Sequence, residues 1–440
     1  MTTDAEIAAL LRDPPSSPAE FGAPSMNGGG PEPAPAGFLA ETLEPFQRWL
    51  FMPDPRPLLA LLGTIAANRL DGDPVWLVLI GPPGGGKSEI LQSAAGLPNV
   101  HPTGTLTEPA LLSGTPKRDK EADAKGGLLR AIGDFGIILC KDFGSVLSMQ
   151  RDSRAAVLAA LREIYDGSWT RHVGTDGGRT LSWSGKVGLL AGCTPTIDRH
   201  HAVMGSMGER FVLFRLPEVD SGEQAGRALD HAGREKEMRA ELAEAVAHLF
   251  ARSLPDPRPL DNAERDRLVA LATLAVRCRS AIERDGYTRE IELIPEPEAP
   301  TRLIVVLERL LAGLDAIGAD RKHAWAVIAK AATDSIPALR WAVIRQLATT
   351  ETAETSRIAE ALGYPTPTAR RALEELTAHA VVSRFKQGDG KADTWTLSGW
   401  ARDRLAAAGT TFPETSVGLS SSPLRIERDK SGKVTSGVAP

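Results

Sequence analysis

The stretch Gly81-Pro82-Pro83-Gly84-Gly85-Gly86-Lys87-Ser88 constrains the chain more than any other. The apolar run Val75 to Ile80 precedes it, and Glu89-Ile90-Leu91 opens a helical segment after it. Two glycines separated by four residues, then Lys and Ser, set between a strand and a helix, form the phosphate-binding P-loop pattern. Glycines let backbone N–H groups wrap phosphates, and the following helix adds its positive end. Lys87 neutralises the outer phosphates and the Ser88 hydroxyl reaches Mg²⁺, so the expected cofactors are ATP and Mg²⁺. A strand–loop–helix unit of this kind implies an α/β core, a parallel sheet with helices on both faces.

The chain can carry such a core and more. Its 440 residues are 42% hydrophobic and 24% charged, enough for two or three domains. The net charge of −5 gives no overall attraction to nucleic acid, so contact with DNA must come from local basic patches. Cys140, Cys193 and Cys278 are scattered and form no disulfide framework or zinc spacing. His200-His201 beside Asp198 do not converge as ligands. No basic segment leads into an apolar core at the N-terminus and no run of about eighteen apolar residues occurs, which argues against a membrane span and for a cytoplasmic location.

Taken in order, residues 1–35 are rich in Pro and Gly and are expected to be disordered. Helical spacing marks Phe38 to Leu50 and Pro57 to Leu70, and a charged loop runs from Lys117 to Lys125. Gly136 to Cys140 is a wholly apolar run expected to lie beside the strand that enters the P-loop. Asp142 follows it at the position where P-loop ATPases keep a carboxylate for Mg²⁺ or for the attacking water. Arg151 to Tyr165 is an amphipathic helix. Trp169 to Trp183 reads as a β-hairpin carrying Arg171, His172 and Arg179, which could meet phosphates. Lys186 to Ala191 delivers Thr194 to the same sheet edge as the P-loop and Asp142, and Phe211 to Phe214 is a further strand. The core thus spans 36–217, followed by a helical lid at 218–335.

From Gly126-Gly127-Leu128-Leu129 to Glu209-Arg210-Phe211, these segments run in an order that resembles the AAA+ ATPase region of minichromosome-maintenance (MCM) helicases, in the compact form of phages and mobile elements. The resemblance covers about residues 40–330. It implies that Lys87 and Ser88 are the P-loop lysine and hydroxyl, Thr194 the sensor-1 residue, and Arg210 an arginine finger acting on a neighbouring subunit's nucleotide. Arg302 is similar to the sensor-2 arginine. A homo-oligomeric ring, usually of six subunits, is implied with them. One departure stands out: where the family has an acidic pair, this chain has Lys141-Asp142. Either Lys141 replaces the metal-associated acid, or Asp142 serves the metal and the water-activating base is unassigned.

Residues 336–408 follow the helix, turn, helix, β-wing order of a winged helix and resemble the DNA-binding module of bacterial regulators. Thr366, Thr368, Arg370 and Arg371 would face the major groove, and Arg384, Lys386 and Lys391 would meet phosphates. Glu374 and Glu375 dilute that positive charge. Residues 409–440 read as a disordered tail. Three functions fit: a helicase or replication initiator of a mobile element, a nucleotide-gated DNA-binding regulator or loader, and a scaffold that keeps nucleotide structurally.

Overall fold

A computed structural model describes residues 37–113, 126–174, 178–200, 210–388 and 392–410. Five strands form an α/β core: β1 (Trp76–Ile80), β2 (Val100–Thr103), β3 (Phe135–Cys140), β6 (Lys186–Cys193) and β7 (Phe211–Arg215). All neighbours are parallel and the order is β2-β3-β6-β1-β7. The apolar runs of β1, β3 and β6 are buried along nearly their whole length, as strands covered on both faces must be.

This order corrects one expectation. The strand after Gly136 does not lie beside β1, because β6, the longest strand of the sheet, pairs with both. The chain leaves β3, packs the helix Arg151–Tyr165 on one face and returns as β6 next to β3, which fills the space beside β1.

Alternation along each strand sends residues to two separate apolar layers. Trp76, Val78 and Ile80 pack with Ile138, Leu189, Ala191 and the helix Arg151–Tyr165. Leu77 and Leu79 pack with Ile137, Leu190, Val212 and the second layer of helices. That layer includes α1 (Gly37–Trp49), α2 (Arg56–Arg69), and, further along the chain, the helices Glu235–Phe250, Asn262–Arg279, Thr301–Ala316 and Arg321–Asp334. Helices Arg56–Arg69 and Thr301–Ala316 cross with their backbones almost touching at Gly63 and Gly313, where a Cβ on Gly313 would run into the Gly63 carbonyl oxygen. Only glycine permits that approach.

The hairpin β4 (Ser168–Val173) and β5 (Arg179–Ser184) forms with Trp169 opposite Trp183, both buried against the first layer. Its turn, Thr175-Asp176-Gly177, lies outside the described residues, as do the charged segment Lys117 to Lys125, Glu209 and Lys391.

After Asp334 the chain crosses Ser335, Ile336 and Pro337 and enters the helix Ala338–Ala348. Ser335 and Ile336 are buried, so this junction is packed rather than extended through solvent. Helices Thr355–Leu362 and Thr366–Ala378 follow, then β8 (Val382–Phe385) and β9 (Thr394–Leu397), with the two-residue strand Ala353–Glu354 on the outer side of β9. Their apolar residues, among them Leu373 and Trp395, join the same core as the helical layer. Helix Thr366–Ala378 begins at Thr366 after Pro365 and has no side-chain cap.

Candidate functional site

The parallel sheet has two unlike edges. At the carboxyl ends of its strands, loop 81–86 leaves β1 and enters the six-residue helix α3 (Lys87–Gln92). Gly84 and Gly86 have φ of 75° and 83°, in the left-handed region that a side chain disfavours, and the space around both is open. Lys87 Nζ donates to the carbonyls of Gly81 and Pro82, 2.7 Å each, so the ammonium is folded back onto the loop that it follows. Partial burial pushes its pKa down, an effect that nearby Cys193 and Asp142 partly offset. Ser88 is exposed.

Asp142 and Thr194 reach the same edge. Gly81 N donates to the Cys193 carbonyl, and Phe143 N donates to that of Gly192, which sets the residues after β3 and β6 level with the loop. Asp142 is exposed, its carboxylate close to Gly144, and Thr194 Oγ1 is 2.6 Å from Thr196 Oγ1. Lys141 Nζ donates to Gln92 Oε1 on α3 at 2.9 Å. Ser88 and Asp142 offer one hydroxyl and one carboxylate for a divalent ion, and where a second acid would add to them the chain has Lys141, a cation tied to the helix that carries Ser88.

A cavity of about 610 Å³ opens beside the loop. Pro82 and Gly84 to Gly86 form one side, Leu50 to Asp54 another, and Leu216, His231 and Met238 close it. Trp49 lies in its wall between the His231 ring at 4.6 Å and the Arg234 guanidinium at 4.6 Å, with its indole N–H donating to Glu241. Glu89 of α3 pairs through both oxygens with Arg239 of the helix Glu235–Phe250, tying that helix to the one that follows the loop. The Leu50–Asp54 wall was not read from the sequence. Its signal is Trp49-Leu50-Phe51-Met52-Pro53, an apolar stretch broken by proline just before α2.

At the amino ends of the strands the chemistry is ionic. Arg210 precedes β7 and is buried, pairing with Asp166 at 2.7 and 3.0 Å and lying over the Tyr165 ring. Since Arg215, five residues on, pairs with Ile80, Arg210 sits roughly 16 Å below the level of the loop. Arg302 is exposed at the start of Thr301–Ala316 and lines a cavity of about 370 Å³ with Tyr165, Asp166, Asp73 and Lys186. Burial, with Arg309 adding to it, pushes Lys186 down to about 8, and burial pushes Tyr165 up to about 12. The structure thus brings Gly81–Ser88, Asp142 and Thr194 together and places Arg210 and Arg302 together at the opposite edge.

Four of the residues read as DNA contacts, Arg171, His172, Arg370 and Arg384, have side-chain partners within the chain. Arg171 donates to Glu108 Oε1 and to the Leu112 carbonyl, both at 2.8 Å, anchoring the hairpin to the segment before the charged loop. His172 Nδ1 is 3.1 Å from Thr180 Oγ1, and Arg179 opposes Val173. Arg384 pairs with Asp393, and Arg370 is 3.9 Å from the same carboxylate. Thr366, Arg370, Arg371 and Lys386 are exposed, while Thr368 is half-buried. Glu374 and Glu375 face inward: Arg284 donates to Glu374 at 3.2 Å and Arg340 to Glu375 at 2.9 Å. Arg215, overlooked in the sequence, donates through its guanidinium to both oxygens of Asp198 and through its backbone N–H to buried Asp334.

Among the described residues no helix is long and apolar enough to cross a membrane. No family model and no curated protein matches the chain. Among solved structures, one described as the A form apo structure of the NrS-1 C-terminal region is similar at 12% identity and a TM-score of 0.23, covering 82% of this chain and 76% of that one.

Proposed function

We propose that the chain is an ATP-binding P-loop protein of the AAA+ type that acts on DNA, related in role to the helicases and replication initiators of mobile elements. The observation that carries this reading is the convergence of loop 81–88, Asp142 and Thr194 at one carboxyl edge of a parallel sheet, beside a cavity of about 610 Å³. Ligands of open α/β sheets bind in that position. Backbone N–H groups of the glycine loop take the phosphates, Lys87 leaves the Gly81 and Pro82 carbonyls for them, and the cavity takes the base. Arg210 and Arg302 are too far from this loop to serve it, so any part they play in nucleotide chemistry is on the nucleotide of another copy, in a homo-oligomeric ring. Residues 336–408 act as a winged helix that meets DNA through Arg370, Arg371, Arg384 and Lys386.

The second reading is a nucleotide-gated regulator or loader that does not unwind. Lys141 favours it, because a cation replaces one of the two acids that turnover uses. Steady-state ATP hydrolysis without DNA, with single-stranded DNA and with duplex, against Lys87→Ala as the blank, separates the two. DNA-stimulated turnover is expected for a motor, and tight binding without turnover for the switch. Absence of both binding and turnover would sink the two together.

A further inference from the structure

A P-loop ATPase holds Mg²⁺ between the hydroxyl of its loop and an aspartate on a nearby strand. Here the residues after β3 are Lys141 and Asp142, and Lys141 reaches the helix that carries Ser88. Its ammonium donates to Gln92 Oε1 at 2.9 Å. Gln92 stands four residues after Ser88, so the two side chains leave the same face of α3 with Cβ atoms about 6 Å apart. Side chains on a helix lean toward its N-terminus, which brings the Gln92 amide, and the Lys141 ammonium with it, toward Ser88.

A fixed ammonium at this place repels a divalent ion and attracts phosphate oxygens. Lys87, Lys141 and Asp142 together carry one net positive charge. One lysine, two carboxylates and a Mg²⁺ ion also carry one. A triphosphate entering this site therefore meets the formal charge of a metal-loaded P-loop before any ion binds.

We propose that this site binds the triphosphate of its nucleotide without a divalent cation, the Lys141 ammonium standing where the ion would be. The proposal rests on the nucleotide-binding reading and departs from it over Mg²⁺. Ser88 keeps a hydroxyl to offer a phosphate oxygen, and Gln92 holds Lys141 until the ligand arrives.

The test is equilibrium binding of ATP to the full chain by calorimetry, in EDTA and in millimolar Mg²⁺, for the parent, Lys141→Met and Lys141→Asp. Lys141 is exposed, so both variants should fold, which circular dichroism checks. The parent should bind within about threefold in the two buffers. Lys141→Met should lose on the order of tenfold in EDTA. Lys141→Asp should lose more in EDTA and regain most of it with Mg²⁺, since it restores the missing acid. A parent that weakens tenfold or more on chelation, with Lys141→Met unchanged in EDTA, overturns the proposal. A parent that binds ATP in neither buffer overturns the nucleotide reading itself and this proposal with it.

Discussion

The two edges of one sheet are built on different principles. At the carboxyl edge the backbone is the main instrument: positive-φ glycines, a backbone hydrogen bond from loop to strand end, and an open cavity with mostly apolar walls. Its charged groups, Lys87, Lys141 and Asp142, are partly or wholly exposed and lightly held. At the amino edge the side chains are the instrument. Arg210 is buried against Tyr165 and Asp166, and Asp73, Lys186, Arg302 and Arg309 crowd the same region. One edge is left ready for a ligand, while at the other Arg210 is already paired within the chain. Substitutions at the first should cost binding, and those at the second should cost stability.

The largest effect expected from this contrast is on Lys87. Lys87→Ala should weaken ATP binding by on the order of 100-fold, the value of a charged hydrogen bond, while the melting temperature stays put, since the ammonium serves only loop carbonyls. Arg210→Ala should do the reverse. Breaking a pair whose arginine is 4% exposed costs about 2 kcal/mol, below the range for fully buried pairs because Asp166 can return to water. Calorimetric unfolding and ATP titration on one preparation would check both, and a loss of affinity with intact stability would reverse the assignment of the edges. Glu108→Gln, which removes the partner of Arg171, should cost about 0.5 kcal/mol, as half-exposed pairs do, and should loosen the hairpin to hydrogen exchange.

The contrast also predicts a pH dependence. Lys186 titrates at about 8 in the folded chain and at 10.5 unfolded, so between those values the unfolded state binds a proton that the folded state does not. Below about pH 8 the full penalty of burying this ammonium is present, and it fades as the pH rises to 10.5. Lys186→Met should therefore stabilise the protein most below pH 8 and lose its advantage above it. Denaturant midpoints at pH 7 and pH 10 would show the difference, and equal gains at both would mean that the ammonium is not penalised.

Local chemistry was legible in the sequence, and long-range order was not. The span Arg151–Tyr165, the Trp169–Trp183 pairing and the buried strand starting at Lys186 follow from periodicity and turn residues, which are written along the chain. That β6 separates β1 from β3 is decided by which faces the connecting helices cover, which no local pattern records. The loop residues could be placed because glycine, lysine and serine act through neighbouring backbone. The positions of Arg210 and Arg302 could not, since a lone arginine in sequence carries no sign of which edge it reaches. Glu374 and Glu375 look like surface charges because their partners, Arg284 and Arg340, are 90 and 35 residues away.

The packed junction at Ser335 and Ile336 has a consequence for how the last described portion of the chain can work. Helix Arg321–Asp334 ends against β7, where Asp334 accepts from the Arg215 backbone, and only three residues separate it from the next helix. Arg340 then reaches back to the carbonyls of Cys278 and Ser280. A segment fastened in this way behaves as the far arm of a lever, its bearing fixed by the body that carries it. It cannot search for DNA on a tether. On the DNA-binding reading proposed above, it would meet its site only when the whole molecule has turned to face it.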